Sequence, residues 1–146
     1  MIKANRKKEK GKDNKKYVES YVINPKAVNL SELYGEMDPI SHDWMDGLIS
    51  YRVRECAEST TKDLQWIVFD GPVDAIWIES MNTVLDDNKK LCLTSGEIIQ
   101  LTTQMSLLFE VANLTSASPA TVSRCGMIYL EASEALDWKS LLETWL

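Results

Sequence analysis

The apolar positions of the chain fall into strand-like and helix-like stretches that alternate. Residues 17–24 read as a strand, with Tyr, Val and Ile recurring until Asn24-Pro25 stops it. Residues 29–35 read as a short helical turn closed by Gly35. Residues 37–41, with Pro39, read as a loop, and Ser41 is placed to cap a helix from about His42 to Ala57. Trp44, Leu48 and Tyr51 form the apolar part of one face there, with Glu55 alongside. Gly47 runs against helix propensity within it. A polar linker, 58–63, leads to Leu64–Asp70. This second strand is apolar without alternation apart from Gln65, as expected of a strand buried on both faces of a parallel sheet.

Gly71-Pro72 turns the chain, and residues 74–85 read as one helix with Ile76, Trp77, Met81, Val84 and Leu85 on its packing side. Asp86-Asp87-Asn88 ends it. Residues 91–93 and 97–101, around Thr94-Ser95-Gly96, read as a β-hairpin. Residues 106–111 form another apolar strand, 112–123 a polar loop interrupted by Pro119, and 126–130 a last strand. Residues 136–146 begin an amphipathic helix with Leu141, Leu142, Trp145 and Leu146, and no stop signal follows. No internal repeat is visible. Strands alternating with helices give an α/β fold with a mainly parallel sheet. Right-handed crossovers place the strands' carboxyl ends on one edge, where Asn24, Asp70 and Val111-Ala112-Asn113 should gather.

Composition adds an asymmetry. The 146 residues suit one domain, and the net charge is −6. Residues 1–16 hold eight Lys or Arg against two acidic residues, whereas the remainder holds eight against twenty. The acidic body is a poor nucleic-acid surface, so no nucleic-acid partner is expected. The basic head has no apolar core, so it is not a secretory signal. It reads as a solvated, disordered or linker segment, with a polyanion-binding or nuclear-targeting tail as the alternative. No apolar run is long enough to span a membrane, and no membrane partner is expected. Cys56, Cys92 and Cys125 are widely spaced, which suits reduced cytosolic thiols better than a disulfide framework. With one histidine, His42, and no C-x-x-C pair, a zinc site is not expected.

The chemistry centres on Trp66-Ile67-Val68-Phe69-Asp70-Gly71-Pro72. A buried strand that ends in a carboxylate and a turn can deliver that Asp to a magnesium-nucleotide site at the sheet's carboxyl edge. Asp70 either holds the magnesium, directly or through water, or caps the helix that follows. Two absences qualify it. No glycine pair has the G-x-x-x-x-G-K-[ST] spacing that cradles phosphates, so the chain alone should bind ATP weakly or not at all. Gly71 cannot orient or deprotonate an attacking water. Asp74, three residues on, is accounted for by the start of a helix. Arg124 is the only Arg or Lys between Lys90 and Lys139. It either reaches a phosphate across an interface or makes a surface salt bridge. The Asn82 and Asp86-Asp87-Asn88 region does not match a calcium loop, and nothing around the cysteines or His42 marks a thiol hydrolase.

The run from Trp66 to Leu93 (WIVFDGPVDAIWIESMNTVLDDNKKLCL) closely resembles the second AAA+ module of dynein heavy chains. So does the stretch 95–131, with its SGEIIQ, MSLLFE and ASPATVSRCGMIYLE segments. Asn24-Pro25-Lys26-Ala27, Leu33-Tyr34-Gly35, Asp38 to Trp44 and Asp46-Gly47 fit as well. The resemblance covers residues 17–146 and has the flavour of axonemal, inner-arm heavy chains.

The resemblance implies a partial AAA+ P-loop NTPase core. Residues 17–132 would form part of the large subdomain and 133–146 the start of the small helical one, without the phosphate-loop strand and helix. It implies that Asp70 is the Walker B aspartate, and so a ligand of both nucleotide and metal. Gly71 would stand where hydrolytic modules carry a glutamate, and Glu110 to Asn113 in the sensor-one region, with Asn113 toward nucleotide. Arg124 matches an arginine finger acting in trans on the first module's ATP. The implied cofactors are ATP and Mg2+, in the intact module only. The implied partners are the other AAA+ modules of the ring, dynein intermediate and light chains and, through the intact motor, microtubules. The implied location is the cytoplasm, cytoskeleton and ciliary axoneme. The intact parent would be an ATPase motor and this chain alone inactive. The alternative from another class is a non-catalytic fragment that binds protein partners and no nucleotide.

Overall fold

A computed structural model describes residues 17–130 and 138–145. The basic head lies outside the described residues. Three parallel strands, β1 (Val18–Ile23), β4 (Leu64–Asp70) and β7 (Met105–Glu110), form the sheet in the order β1-β4-β7. The register pairs Ile23 with Phe69, Phe69 with Phe109, and Asp70 with Glu110, so the carboxyl ends share one edge as expected.

Successive side chains of a strand face opposite sides, and here the two sides differ. Ile67 and Phe69 of β4 are fully buried, and with Ile23 of β1 they enter the core. Gln65, the polar exception, is buried on this same side. Phe69 stacks on Phe109 with ring centroids 5.1 Å apart, and Trp77 closes on both rings at 5.5 and 6.2 Å. On the other side Val68 is buried, but Trp66 is 37% and Val22 44% exposed, and none of the three belongs to the core cluster. Burial on both faces therefore holds at Val68 only, and among the described residues the core lies on one face.

Between β1 and β4 the chain makes α1 (Leu30–Tyr34), β2 (Gly35–Met37), β3 (Trp44–Asp46) and α2 (Leu48–Glu58). Asn29 caps α1 by accepting from Glu32 N while the Glu32 carboxylate accepts from Asn29 N, a reciprocal capping box. The helix expected from His42 is corrected. β2 and β3 pair antiparallel instead, and α2 starts only at Leu48. The reason is Gly47. A Cβ there would stand 2.4 Å from Gly35 N and 2.6 Å from Leu33 O, so the two chain segments cross backbone to backbone. Ser41, the expected cap, sits in the hairpin turn, where its N–H donates to Asp38 Oδ1. The buried side of α2 is Ile49, Ser50, Val53 and Cys56, while Leu48 and Tyr51 are exposed.

The single helix expected over 74–85 is also corrected. It breaks into α3 (Ala75–Glu79) and α4 (Asn82–Leu85), and Ile78 is buried where Ile76 was expected, Ile76 being 66% exposed. β5 (Lys90–Cys92) and β6 (Ile98–Gln100) form the expected hairpin. The loop expected over 112–123 contains α5 (Pro119–Ser123), with proline at its first position and Ser118 as its cap. Residues 126–130 form no strand. A strand needs a ladder partner, and Met127, Ile128, Tyr129 and Leu130 stand exposed. The final helix, α6 (Trp138–Trp145), lies within the expected span.

Candidate functional site

Asp70 ends β4 with its side chain exposed, beside Glu110 on β7. The alternative role of Asp70 as a helix cap does not hold. The N-cap of α3 is Asp74, whose Oδ1 accepts from Trp77 N at 3.1 Å. Asp74 is further paired with the Lys26 ammonium, which holds its carboxyl below the usual carboxylate range. Asp74 is thus committed to structure, as its position in the sequence implied. Among the described residues the Asp70 carboxylate has neither a hydrogen-bond nor an ion-pair partner.

The turn after Asp70 is packed from β1. Asn24 Oδ1 accepts from Lys26 N at 2.9 Å and Asn24 O from Ala27 N at 3.2 Å, folding the chain tightly after the strand. A Cβ on Gly71 would stand 2.9 Å from Asn24 Oδ1 and 3.3 Å from Pro25 Cδ. Gly71 N donates to Glu110 O at 3.4 Å, tying the β4 exit to β7 as well. Asn24, Asp70, Gly71 and Glu110 therefore share the carboxyl edge. Asn113 follows β7 and is exposed. Its Oδ1 accepts from Thr115 Oγ1 at 2.7 Å and from Thr115 N at 3.3 Å, and its amide N–H2 has no acceptor among the described residues.

The donor set suits magnesium in one specific way. No group of three or more His, Cys, Asp or Glu that could hold a metal exists among the described residues. Magnesium, however, commonly keeps several waters and takes one or two carboxylates plus substrate phosphates. Asp70, with Glu110 alongside, fits that pattern and does not build a cage of its own.

Arg124 lies elsewhere. It follows α5, its Nε donates to the Asp86 carboxylate after α4, and its Nη1 donates to Ala120 O at 3.0 Å. Thr121, buried on α5, donates from Oγ1 to Asn82 Oδ1 at 3.1 Å, a second tie between α5 and α4. None of Arg124's partners belongs to the Asp70 edge. Asn24 as the packing partner of Gly71, Lys26 as the partner of Asp74, and Asp86 as the partner of Arg124 were not legible in the sequence. These pairs span 47, 48 and 38 positions, and only the tertiary fold joins them.

An α/β core with a parallel three-stranded sheet, flanking helices and a carboxylate at the sheet's carboxyl edge is consistent with part of an AAA+ nucleotide-binding domain. No family model matches the chain. It is 61% identical over 124 residues to dynein axonemal heavy chain 12 of Homo sapiens, covering 85% of this chain. It is 61% identical over 129 residues to dynein axonemal heavy chain 3 of Mus musculus and 57% over 129 residues to dynein axonemal heavy chain 1 of Homo sapiens, covering 88% in both cases. By sequence the chain is homologous to one short stretch of axonemal dynein heavy chains. It spans only 3–4% of the length of these relatives.

Proposed function

We propose that this chain is part of the second AAA+ module of an axonemal dynein heavy chain. In this reading residues 17–132 belong to the large subdomain and 133–146 open the small helical one. The module holds Mg-ATP without hydrolysing it, and the parent moves on microtubules in the ciliary axoneme. The observation that carries the reading is Asp70 at the carboxyl edge of the parallel sheet, its carboxylate without a partner among the described residues, followed directly by Gly71. Asp70 would hold the magnesium through oxygen or water, with Glu110 adding negative charge. Asn113 would donate to nucleotide from its amide. ATP and its metal supply the phosphoryl group and the charge neutralisation when bound. No side chain at position 71 can position an attacking water, and Asp74 is held by Lys26 and Trp77 N.

Arg124 would act in trans as an arginine finger on the first module's ATP, its planar fork stabilising charge on the transferring phosphoryl group. The ring's other modules, the intermediate and light chains, and microtubules are the partners that follow. In an intact heavy chain Arg124→Ala is expected to lower ATP turnover by about 10³-fold or more. Unchanged turnover would remove the finger assignment.

A second reading is favoured by the exposed apolar run Met127, Ile128, Tyr129 and Leu130 and by β7, which pairs with β4 alone among the described residues. In it the chain is a non-catalytic piece that binds protein and no nucleotide. Calorimetric titration of the chain with Mg-ATP tests the second reading: tight binding removes it, and contradicts the half-site argument as well. No heat at millimolar ATP agrees with either, and the turnover of the Arg124→Ala heavy chain then decides.

A further inference from the structure

We propose that Asp86 is the positioning residue for Arg124, setting the aim of the guanidinium toward the neighbouring nucleotide. The inference rests on the finger reading above and goes one residue beyond it. A long, flexible arginine on a surface loses side-chain entropy when it is fixed for phosphate recognition, and that cost is reduced when another group has already fixed it. Here Arg124 is fixed from two sides. Its Nε donates to the Asp86 carboxylate and its Nη1 to Ala120 O at 3.0 Å. The two contacts take Nε–H and an N–H of Nη1, on opposite sides of the guanidinium. Among the described residues Nη2 has no acceptor, so its N–H groups are left to meet an anion.

The platform beneath is also fixed. Asp86 N donates to Asn82 O at 3.1 Å, and Lys89 N to Asp86 O at 2.9 Å, so the carboxylate stands on a bonded turn. Asn82 in turn takes the Thr121 hydroxyl of α5 at 3.1 Å. The segment that carries Arg124 is thereby registered on the turn that carries Asp86. The side chains are about one third exposed, 33% for Arg124 and 38% for Asp86, so the pair contributes little to stability and is open to an approaching phosphate.

The test is steady-state ATP turnover of an intact heavy chain carrying this stretch, with Arg124→Ala, Asp86→Ala, Asp86→Asn and the Asp86→Ala/Arg124→Ala pair. Asp86→Ala is expected to lower kcat about tenfold with KM for ATP unchanged, within the range that a misplaced catalytic group costs. Asp86→Asn, which keeps an acceptor oxygen for Nε, should lose less. The double variant should be no slower than Arg124→Ala alone, because Asp86 acts only through Arg124. If Arg124→Ala lowers turnover while neither Asp86 variant does, or if Asp86→Ala raises it, the positioning role fails and the finger stands. If Arg124→Ala has no effect, both fail. Should Asp86→Ala not assemble, Asp86→Asn decides: a kcat equal to the unaltered protein overturns the proposal.

Discussion

Asn24, at the end of β1, lies directly over Gly71, at the end of β4: a Cβ on residue 71 would stand 2.9 Å from Asn24 Oδ1. That oxygen is not free to swing aside without loss, because it accepts from Lys26 N at 2.9 Å. Any side chain at position 71 therefore meets Asn24 first.

The contact predicts a coupling. Gly71→Ala alone must displace Asn24 and break its bond to Lys26 N, at about 1 kcal/mol. Against this stands a gain of about 0.4–1 kcal/mol from the stiffer unfolded chain. The net change is near zero or destabilising. In an Asn24→Ala background the clash and the bond are already gone, so Gly71→Ala should stabilise. A double-mutant cycle by urea unfolding is expected to show about 1 kcal/mol of coupling. Additive effects would refute the contact.

A second prediction contrasts two isoleucines two residues apart. Ile78 is buried at 2% exposure in the cluster with Trp77 and Met81, whereas Ile76 is 66% exposed. Ile78→Ala is expected to cost about 2–5 kcal/mol and Ile76→Ala less than about 0.5 kcal/mol. Denaturant midpoints for the two variants check this. Equal losses would restore the continuous helix that the sequence alone suggested.

The contrast shows what was legible and what was not. Leu64–Asp70 was readable to the residue because a continuous apolar run ending in Asp-Gly-Pro has few other meanings. The Gly35 end of α1 was a local signal too. Trp44, Leu48 and Tyr51 are spaced as a helix would space them, yet Trp44 belongs to a hairpin. That outcome depends on the close crossing of Gly35 and Gly47, which eleven intervening residues conceal. Residues 126–130 have strand composition but find no partner strand among the described residues. Asp70 stands out as a candidate from the strand's end alone, whereas the Asp86–Arg124 pair is a contact that no local pattern encodes.

A third prediction concerns the thiols. Burial pushes the Cys56 thiol up to about 11, while Cys92 is exposed. The thiolate is the reacting form. Iodoacetamide at pH 8 should therefore label Cys92 first and Cys56 only after denaturant is added, as read by peptide mass spectrometry. Labelling of Cys56 at the rate of Cys92 in the native protein would place α2 wrongly.

The last prediction concerns Arg54, which joins three elements. Its Nη1 and Nη2 meet the Asp46 carboxylate of β3, and its Nε and Nη2 meet Glu97 before β6 at 3.0 and 2.7 Å. Hydrogen bonds from the guanidinium hold both carboxyls below their ordinary values of 3.8 and 4.5. Groups with depressed folded values stabilise the fold above their unfolded values, and that contribution disappears as pH falls through the folded ones. Arg54→Ala should therefore destabilise by about 1 kcal/mol at pH 7, given the partial exposure of all three groups. The deficit should begin to shrink as pH drops through the ordinary carboxyl values and disappear as it falls through the lowered folded ones, where the unaltered protein also loses the pairing. High salt should reduce it at neutral pH, though less than for a fully exposed pair. Thermal unfolding of both proteins from pH 7 to pH 3 measures the difference. A deficit that stays constant over that range would show that Arg54 acts by packing alone.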